Sequence, residues 1–351
     1  MSEPGMPQAP RRAALTFIFV TVVLDMLALG MVVPVLPHLI EDFLGGDIPR
    51  AAQLVGLFST VWAVMQFFSM PVMGALSDRF GRRPVILLSN FGLGLDYVLM
   101  ALAPTLSWLF VGRLISGVTA ASVSTSMAYV ADVTPPERRA QSFGFVGVAF
   151  GVGFVLGPAI GGLLGSVDPR LPFWAAACAS LLNAAYGFFI LPESLAPEKR
   201  RAFEWRRANP LGSLRFLRAH REVFALAGAA FLSSLTHAVL PAVFVLYAAY
   251  RYGWDEKAVG LALAGVGISS ALVQGALVGP LVRRFGERRV MIGGLLAGTA
   301  GFMLYAFAPT GLWFVAAIPI VGLWGLAGPT SQGIMTRAVG ASAQGELQGA
   351  M

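Results

Sequence analysis

Charge is scarce in this sequence. Only 12% of its 351 residues are charged, whereas 56% are hydrophobic, and the mean hydropathy is +0.72. A soluble domain usually has about a quarter of its residues charged. This chain therefore has too little polar surface to cover a water-soluble globule of its size, and its composition predicts a membrane protein.

Several chemical signatures are missing as well. Cys178 is the only cysteine, so an intrachain disulfide is excluded. We find no nucleophile–base pair, no cluster of metal ligands and no nucleotide-binding loop in the sequence, so we expect a protein that is not an enzyme. The net charge of +7 would suit a nucleic-acid partner, but the distribution of the basic residues argues against one.

What the sequence does contain is a series of long apolar runs. A helix that crosses the hydrocarbon needs about 20 mostly apolar residues, and ten runs reach that length. They do not alternate as the strands of a membrane barrel do, so we expect an all-α integral membrane protein. The ten segments are 13–36, 52–74, 84–104, 106–130, 141–165, 172–191, 223–249, 258–281, 289–308 and 311–334.

Basic residues are unequally divided between the loops. Most of the 25 lysines and arginines fall before the first span, in the even-numbered loops and in the stretch 192–222. The odd-numbered loops hold only Arg50, Arg170, Arg251 and Lys257. Because basic loops stay on the cytoplasmic side, we expect a multi-pass protein of the cell (inner) membrane with its N-terminus in the cytoplasm and no nucleic-acid partner.

A motif that joins the second and third spans returns in the second half of the chain. GALSDRFGRRP begins at Gly74 and GPLVRRFGERR begins at Gly279, an offset of 205 residues. Two six-span halves in the same orientation form a parallel repeat. We therefore predict an N-terminal six-helix bundle over 1–191, a cytoplasmic linker over 192–222 and a C-terminal bundle over 223–351. Since only four spans fall in the last region, we expect a C-terminally truncated chain.

The linker permits two interpretations. A piece near 211–217 is either an amphipathic helix that lies on the membrane surface or part of a solvated charged segment.

The first copy of the motif predicts a gate on the cytoplasmic side. Gly74 is expected to allow close helix packing, and Gly81 suits a tight turn. Arg82 is expected to pair with an aspartate at the end of the fourth span. The alternative is that the charges only set the topology. The predicted gate residues are Gly74, Asp78, Arg79, Gly81, Arg82, Arg83 and Asp132, of which Arg79 and Arg83 chiefly anchor the loop.

A glycine-rich motif, GVGFVLGPAIGG, lies in the fifth span. Small residues four apart let another helix pack against the backbone, and proline bends a membrane helix. A generic glycine-rich helix is the alternative. The motif residues are Gly153, Gly157, Pro158, Gly161 and Gly162.

Three charged residues fall inside spans, namely Asp25, Asp96 and Arg113. Ionisable residues at membrane depth are costly, and the default interpretation is function. A carboxylate that alternates between an apolar site and an arginine can load and release a proton, which proton-driven export requires. The alternative is a structural salt bridge between one aspartate and Arg113.

Uncharged polar residues in the spans are further candidates for the substrate path. They either contact a substrate or join helices by hydrogen bonds. His237 either takes part in proton transfer or packs as a hydrogen-bonded histidine. These uncharged residues are Gln66, Gln274, Asn183 and Gln332.

Together these motifs resemble the major facilitator transporters. GALSDRFGRRP is similar to their signature between the second and third helices, and the motif in the fifth span resembles that of the drug/proton antiporter branch. LDMLALGMVVPVLP, LDYVLMALAP, GRLISGVTAA and GELQGA resemble the tetracycline-exporter group. The similarity covers essentially the whole chain.

The resemblance implies the major facilitator fold, with pseudo-twofold helix bundles and ten of an expected twelve transmembrane helices present. It implies proton-coupled drug efflux by alternating access, with Asp25 and Asp96 near the drug and proton path and Arg113 as the coupling residue. It also implies that Asp78 contacts the eleventh helix.

In that group the substrate is a tetracycline that carries a divalent metal and is exchanged for a proton. A cation such as Mg²⁺ would then be part of the substrate, and no cofactor is expected. The expected partners are a small-molecule drug, protons and the lipid bilayer, and the chain is expected to work as a monomer.

Two positions depart from that group. Its well-known members have a histidine in the eighth helix where this chain has Ser270, and an aspartate in the ninth helix where this chain reads GGLLAGTAG, 293–301. The alternatives are a multidrug or metabolite/proton antiporter of the same fold, or an inactive truncated transporter.

Overall fold

The structure, a computed structural model, describes residues 8–120, 122–134, 139–203, 221–238 and 243–338. Within these ranges the chain forms helices and turns, without a strand. The helices are α1 (Gln8–Val32), α2 (Leu36–Phe43), α3 (Ile48–Phe80), α4 (Arg82–Leu102), α5 (Leu106–Thr119), α6 (Ser122–Val133), α7 (Arg139–Gly165), α8 (Leu171–Ile190), α9 (Arg221–His237), α10 (Val245–Tyr252), α11 (Glu256–Leu272), α12 (Val278–Phe285), α13 (Glu287–Phe307), α14 (Gly311–Gly322) and α15 (Ala327–Ala338). A π turn, Val273–Leu277, joins α11 to α12, and a 3₁₀ turn, Leu323–Leu326, joins α14 to α15.

Most of these helices have the length and apolarity of membrane spans. In the described ranges nine helical stretches are long and apolar enough to cross a bilayer, and a shorter apolar helix covers Phe224–Thr236. Large apolar side chains face outward, such as Phe189 at 82% and Phe307 at 79% exposure. Soluble monomeric proteins rarely expose an apolar surface of this extent. The prediction of a polytopic, all-α membrane protein is confirmed, and the ten stretches match the ten predicted segments.

The chain forms two compact units, Met1–Asn209 and Pro210–Met351. In the first unit, α1 packs against α7 and α8, and α4 packs against α8 and α5. In the second unit, α13 packs against α14 and α15. Stacked aromatic rings support this packing, with the centroids of Tyr305 and Phe314 3.8 Å apart.

The internal repeat extends from sequence to structure. α4 runs from Arg82 to Leu102 and α13 from Glu287 to Phe307, so both ends are related by the 205-residue offset of the motif. Each helix follows a glycine with positive φ, 107° at Gly81 and 80° at Gly286. Side chains other than glycine rarely adopt such angles, so both copies of the motif make the same turn.

Two predicted spans differ from the structure in their boundaries. α3 continues to Phe80, so Asp78 and Arg79 lie in its last helical turn and Gly81 alone makes the connection. The predicted span 106–130 agrees with one apolar helical stretch, Leu106–Val133, which contains α5 and α6. The predicted span 223–249 contains the end of α9 at His237 and the start of α10, and residues 239–242 lie outside the described ranges. Hydropathy averages over a window and does not record such local breaks. The linker piece 211–217 also lies outside the described residues.

Candidate functional site

Asp25 is held in a buried network that joins three helices of the first unit. Its side chain on α1 is 5% exposed. Ser122 on α6 donates its hydroxyl to Oδ2 of Asp25 at 2.5 Å, and the Asn183 amide on α8 donates to Oδ1 at 3.2 Å. The Thr21 hydroxyl donates to the side-chain amide oxygen Oδ1 of Asn183 at 3.0 Å. Sequence reasoning named Asn183 but missed Ser122, because a serine in an apolar span has no distinctive pattern.

Asp96 and Arg113 lie in neighbouring helices and are almost fully buried, at 1% and 8% exposure. Neither carboxylate oxygen of Asp96 has a hydrogen-bond partner among the described residues. The Arg113 guanidinium contacts the Met100 sulfur at 3.9 Å. A Cβ added at Gly112, beside Arg113, would lie 2.9 Å from Asp96 Oδ1, so α4 and α5 are in direct contact here.

The salt bridge considered from the sequence is not formed in the described part of the chain. Arg113 has no carboxylate within 4.0 Å there. A buried charge without a close counter-charge is destabilising, and such residues in membrane helices mark ion and substrate paths. The geometry therefore favours the functional interpretation of Asp96 and Arg113 over the structural one.

The remaining predicted path residues are distributed over both units. Gln66 is half-buried on α3 of the first unit, and Gln332 is exposed on α15 of the second. His237 ends α9, and its side chain lies outside the described residues. Gln274 lies in the π turn between α11 and α12.

Gln274 lines a cavity of about 250 Å³ in the second unit. Ser270 and Trp324 also line it, and Trp324 belongs to the 3₁₀ turn between α14 and α15. Irregular helical turns at membrane depth are typical of functional sites and of cavity walls. The described lining residues include no charged side chain. Trp324 was not predicted, because a single tryptophan in an apolar run resembles ordinary packing.

Arg82 is the centre of a charged cluster at one end of the first unit. Its Nη1 lies 2.6 Å from Asp78 Oδ1 and donates to Ser77 Oγ at 2.5 Å, and its Nε lies 3.1 Å from Asp132 Oδ2. The expected pairing of Arg82 with Asp132 is therefore present. That this cluster gates transport stays a prediction.

Glu193 completes this cluster and was missed in the sequence. Its carboxylate accepts hydrogen bonds from the backbone N–H groups of Arg82 and Arg83, at 2.9 and 3.3 Å. These groups open α4 and have no partner within the helix, and the helix dipole favours a negative charge there. A Cβ at Gly81 would collide with the Glu193 carboxylate, so glycine is required there for space as well as for its backbone angles.

Arg83 does more than the predicted anchoring of a loop. Its Nη2 donates to the Phe188 carbonyl oxygen at 2.6 Å, which ties the start of α4 to the end of α8. Arg79 lies 5.0 Å above the ring of its neighbour Phe80.

Gly74 does not meet the expectation of close helix packing. A Cβ added at Gly74 meets no described atom within 4 Å. That expectation is therefore wrong within the described part of the first unit, because no neighbouring helix there covers this face of α3.

We predict that Glu193→Ala lowers the melting temperature of the purified protein. Loss of a cap at a helix N-terminus typically costs about 1–2 kcal/mol, and two N–H groups lose their acceptor here. Glu198→Ala is the matched control, since Glu198 is exposed in the same segment. Thermal unfolding in detergent compares them, and equal melting temperatures for the two variants would contradict the capping role.

The second unit contains the same ion pair with its charges exchanged. Glu287 at the start of α13 pairs with Arg337 on α15. The 205-residue offset relates Glu287 to Arg82 and Arg337 to Asp132. The geometry of the turn is thus repeated while the signs of the charges are inverted.

The glycines of α7 pack against α1. A Cβ added at Gly157 would lie 2.7 Å from the Gly30 Cα, and one at Gly153 would lie 2.5 Å from the Met26 Cβ. A Cβ at Gly161 would collide with the backbone of Met31. Pro158 and Gly162 are buried beside them. The motif therefore brings two helix backbones into contact.

Family comparison agrees with this arrangement of helices and motifs. The sequence model of the Major Facilitator Superfamily matches residues 18–351. The chain belongs to the Major Facilitator Superfamily. The major facilitator fold expected from the resemblance is thereby confirmed.

Within this superfamily the chain is similar to tetracycline resistance proteins. It is 40% identical to the class C protein of Escherichia coli, over 96% of this chain and 85% of that protein. It is 35% identical to the class D protein of Salmonella ordonez, over 95% and 83% of the two chains. The resemblance to the tetracycline-resistance group is therefore confirmed.

Solved transporters share the fold. The human organic anion transporter TETRAN matches with a TM-score of 0.71 and 26% identity, over 98% of this chain and 90% of that one. The nucleoside transporter NupG matches with a TM-score of 0.75 over 96% and 86% of the chains, and its 14% identity supports the fold alone.

Proposed function

We propose that this major facilitator protein exports a drug in exchange for protons by alternating access. The observation that carries the proposal is the buried group of Asp25, Asp96 and Arg113 in the first unit. Two carboxylates and an arginine at membrane depth are costly to keep unless they act on an ion or a substrate. The proposed location is the inner membrane, with the N-terminus in the cytoplasm because of the distribution of basic loops.

Proton binding at Asp25 is coupled to helix contacts. An ionised carboxylate accepts hydrogen bonds at both oxygens, which suits the donors Ser122 and Asn183. A protonated carboxyl group has to donate one bond, so one of these contacts must rearrange. Because the donors lie on α6 and α8, loading a proton changes a hydrogen bond that joins one of those helices to α1.

The first candidate substrate is a tetracycline bound to a divalent cation. The relatives named above are tetracycline resistance proteins, and the resemblance in the motifs points the same way. In this proposal the cation is cargo. The chain needs only the proton gradient, without a resident cofactor, and works as a monomer.

The cavity in the second unit favours a second candidate, a drug or metabolite that carries no metal. Ser270 and Gln274 line it without a charged side chain among the described residues. Divalent cations prefer carboxylate oxygens, and transition metals also accept imidazole. A wall of hydroxyl, amide and indole groups instead suits an uncharged, flat ligand.

Inverted membrane vesicles test both candidates. Vesicles that contain the protein are given an interior-acid gradient, and the uptake of tetracycline is followed with Mg²⁺ or with a chelator. A lipophilic dye, ethidium, is tested in parallel. Uptake that a protonophore abolishes supports proton-coupled export. Dependence on Mg²⁺ then selects the first candidate, and independence or dye uptake selects the second. Uptake no greater than in vesicles without the protein, for both compounds, would contradict the proposed function.

A further inference from the structure

A row of buried hydroxyl groups runs along one face of α6. The row contains Ser122, the adjacent pair Thr125 and Ser126, and Tyr129. The pair lies three or four residues from both Ser122 and Tyr129, and residues with this spacing share a helix face. Each of them is at most 2% exposed. Asp132 continues the same face at the end of the helix. A polar stripe in a membrane helix is costly, so this one needs an explanation beyond packing.

The row connects two charged groups. At its inner end, the Ser122 hydroxyl donates to Asp25 Oδ2 at 2.5 Å. At its outer end, Asp132 Oδ2 lies 3.1 Å from the Nε of Arg82, and Asp132 is exposed. With a rise of 1.5 Å per residue, Ser122 and Asp132 are about 15 Å apart along the axis. The row therefore leads from a buried carboxylate to the surface of the unit.

α4 presents a second polar row beside the first. Arg82, Ser89 and Asp96 recur every seven residues, which is close to two helical turns, so they lie on one side of α4. Asn90 follows Ser89, and both are 0% exposed. α4 packs against α6, and Arg82 of the second row pairs with Asp132 of the first. The two rows therefore meet at this ion pair and together make a polar region that reaches Asp96.

Several polar atoms of this region have no hydrogen-bond partner in the part of the chain that the structure describes. The hydroxyls of Ser89, Thr125 and Ser126 and both amide atoms of Asn90 lack a hydrogen bond to any described residue. Buried polar groups are normally paired with protein or with bound water. Several such atoms between a proton-binding carboxylate and an exposed ion pair are suited to binding a chain of water molecules.

The second unit provides an internal comparison. The 205-residue offset relates Thr125 and Ser126 to Thr330 and Ser331, so the threonine–serine pair is repeated. Thr330, however, donates to the carbonyl oxygen of Leu326, in the 3₁₀ turn before α15, at 2.6 Å. The rest of the row is lost, since the counterparts of Ser89, Asp96 and Ser122 are Gly294, Gly301 and Ala327. The continuous polar region is therefore a feature of the first unit.

We propose that Ser89, Asn90, Thr125 and Ser126, with water bound between them, conduct protons between the buried aspartates and the Arg82–Asp132 ion pair. The inference rests on the proposed antiport and identifies the route by which the proton leaves toward the cytoplasm. Each hydroxyl or water accepts one proton and passes on another. One proton thus leaves the carboxyl group and one reaches bulk water beside Asp132, without a net covalent change.

The triple variant S89A/T125V/S126A tests this route, because it removes three hydroxyl groups and retains nearly the same side-chain shapes. Two assays on the same vesicles separate proton flow from drug binding. Gradient-driven uptake of tetracycline requires net proton movement, whereas exchange of labelled for unlabelled tetracycline without a gradient does not. We expect gradient-driven uptake to fall on the order of 100-fold, the lower end of the range for losing a proton-transferring group, and exchange to continue at the wild-type rate.

The matched control is T330V/S331A, which makes two of the three substitutions at the repeated positions, since the counterpart of Ser89 is Gly294. We expect it to leave both assays unchanged. A triple variant with normal gradient-driven uptake would overturn the inference. So would an equal loss of uptake and exchange, which indicates damage to binding or folding. A wild-type protein that transports neither tetracycline nor ethidium overturns the proposed function itself, so the two failures are distinguishable.

Discussion

Replacing Asp25 with asparagine is expected to abolish gradient-driven drug uptake in inverted vesicles without reducing the amount of inserted protein. Asparagine has nearly the same size and still accepts the hydrogen bond from Ser122, but it cannot bind or release a proton. Removal of a proton-transferring group commonly costs on the order of 100-fold in rate. We expect the same loss for Arg113→Ala, since Arg113 is buried and is proposed to couple proton binding at the aspartates to drug transport.

Asp42→Asn is the matched control for this experiment, because Asp42 is exposed at the end of α2 and the substitution is chemically identical. Initial rates of uptake are compared at equal protein content. Exchange without a gradient should persist in Asp25→Asn, since it needs no net proton transfer. A normal gradient-driven rate in this variant would show that Asp25 does not carry the coupled proton.

The second large effect is expected on stability. Gly157→Ala should lower the melting temperature strongly or prevent folding, because the new Cβ would lie 2.7 Å from the Cα of Gly30 and 2.9 Å from the Leu27 carbonyl oxygen. Backbone atoms cannot rotate away as a flexible side chain can, so α1 would have to move away from α7. Overpacking of a well-packed interior costs about 1–3 kcal/mol.

Gly151→Ala in the same helix supplies the comparison, since a Cβ at Gly151 meets nothing within 4 Å among the described residues. Its melting temperature should equal that of the wild type or exceed it slightly, because alanine favours helix more than glycine does. Thermal unfolding in detergent measures both variants. Equal melting temperatures for Gly157→Ala and Gly151→Ala would contradict the assigned backbone contact.

The sequence predicted features that depend on local pattern. Apolar runs of sufficient length mark spans because a bilayer sets the length of a helix. The repeated motif predicted the matching starts of α4 and α13, since each of these helices begins directly after a glycine with positive φ. Glycines spaced by four predicted the face of α7 that meets another helix, because that spacing places them on one side.

The sequence did not predict features that depend on residues far apart along the chain. Glu193 caps α4 from 111 residues away along the chain, and no local pattern links the two. The absence of a near neighbour at Gly74 among the described residues depends on which helices cover α3. Ser122 becomes a candidate site residue only because the packing of α6 brings the Ser122 hydroxyl within hydrogen-bond distance of Asp25.

The sequence by itself therefore determined the class of protein, the repeat, the charged residues at membrane depth and the family, because hydropathy, spacing and composition are local properties. Tertiary structure alone decided that Arg113 has no carboxylate within 4.0 Å among the described residues, and that α4 and α6, which carry the two polar rows, pack against each other. Hydrogen bonds and ion pairs act over a few ångströms, and only packing decides which distant residues come that close.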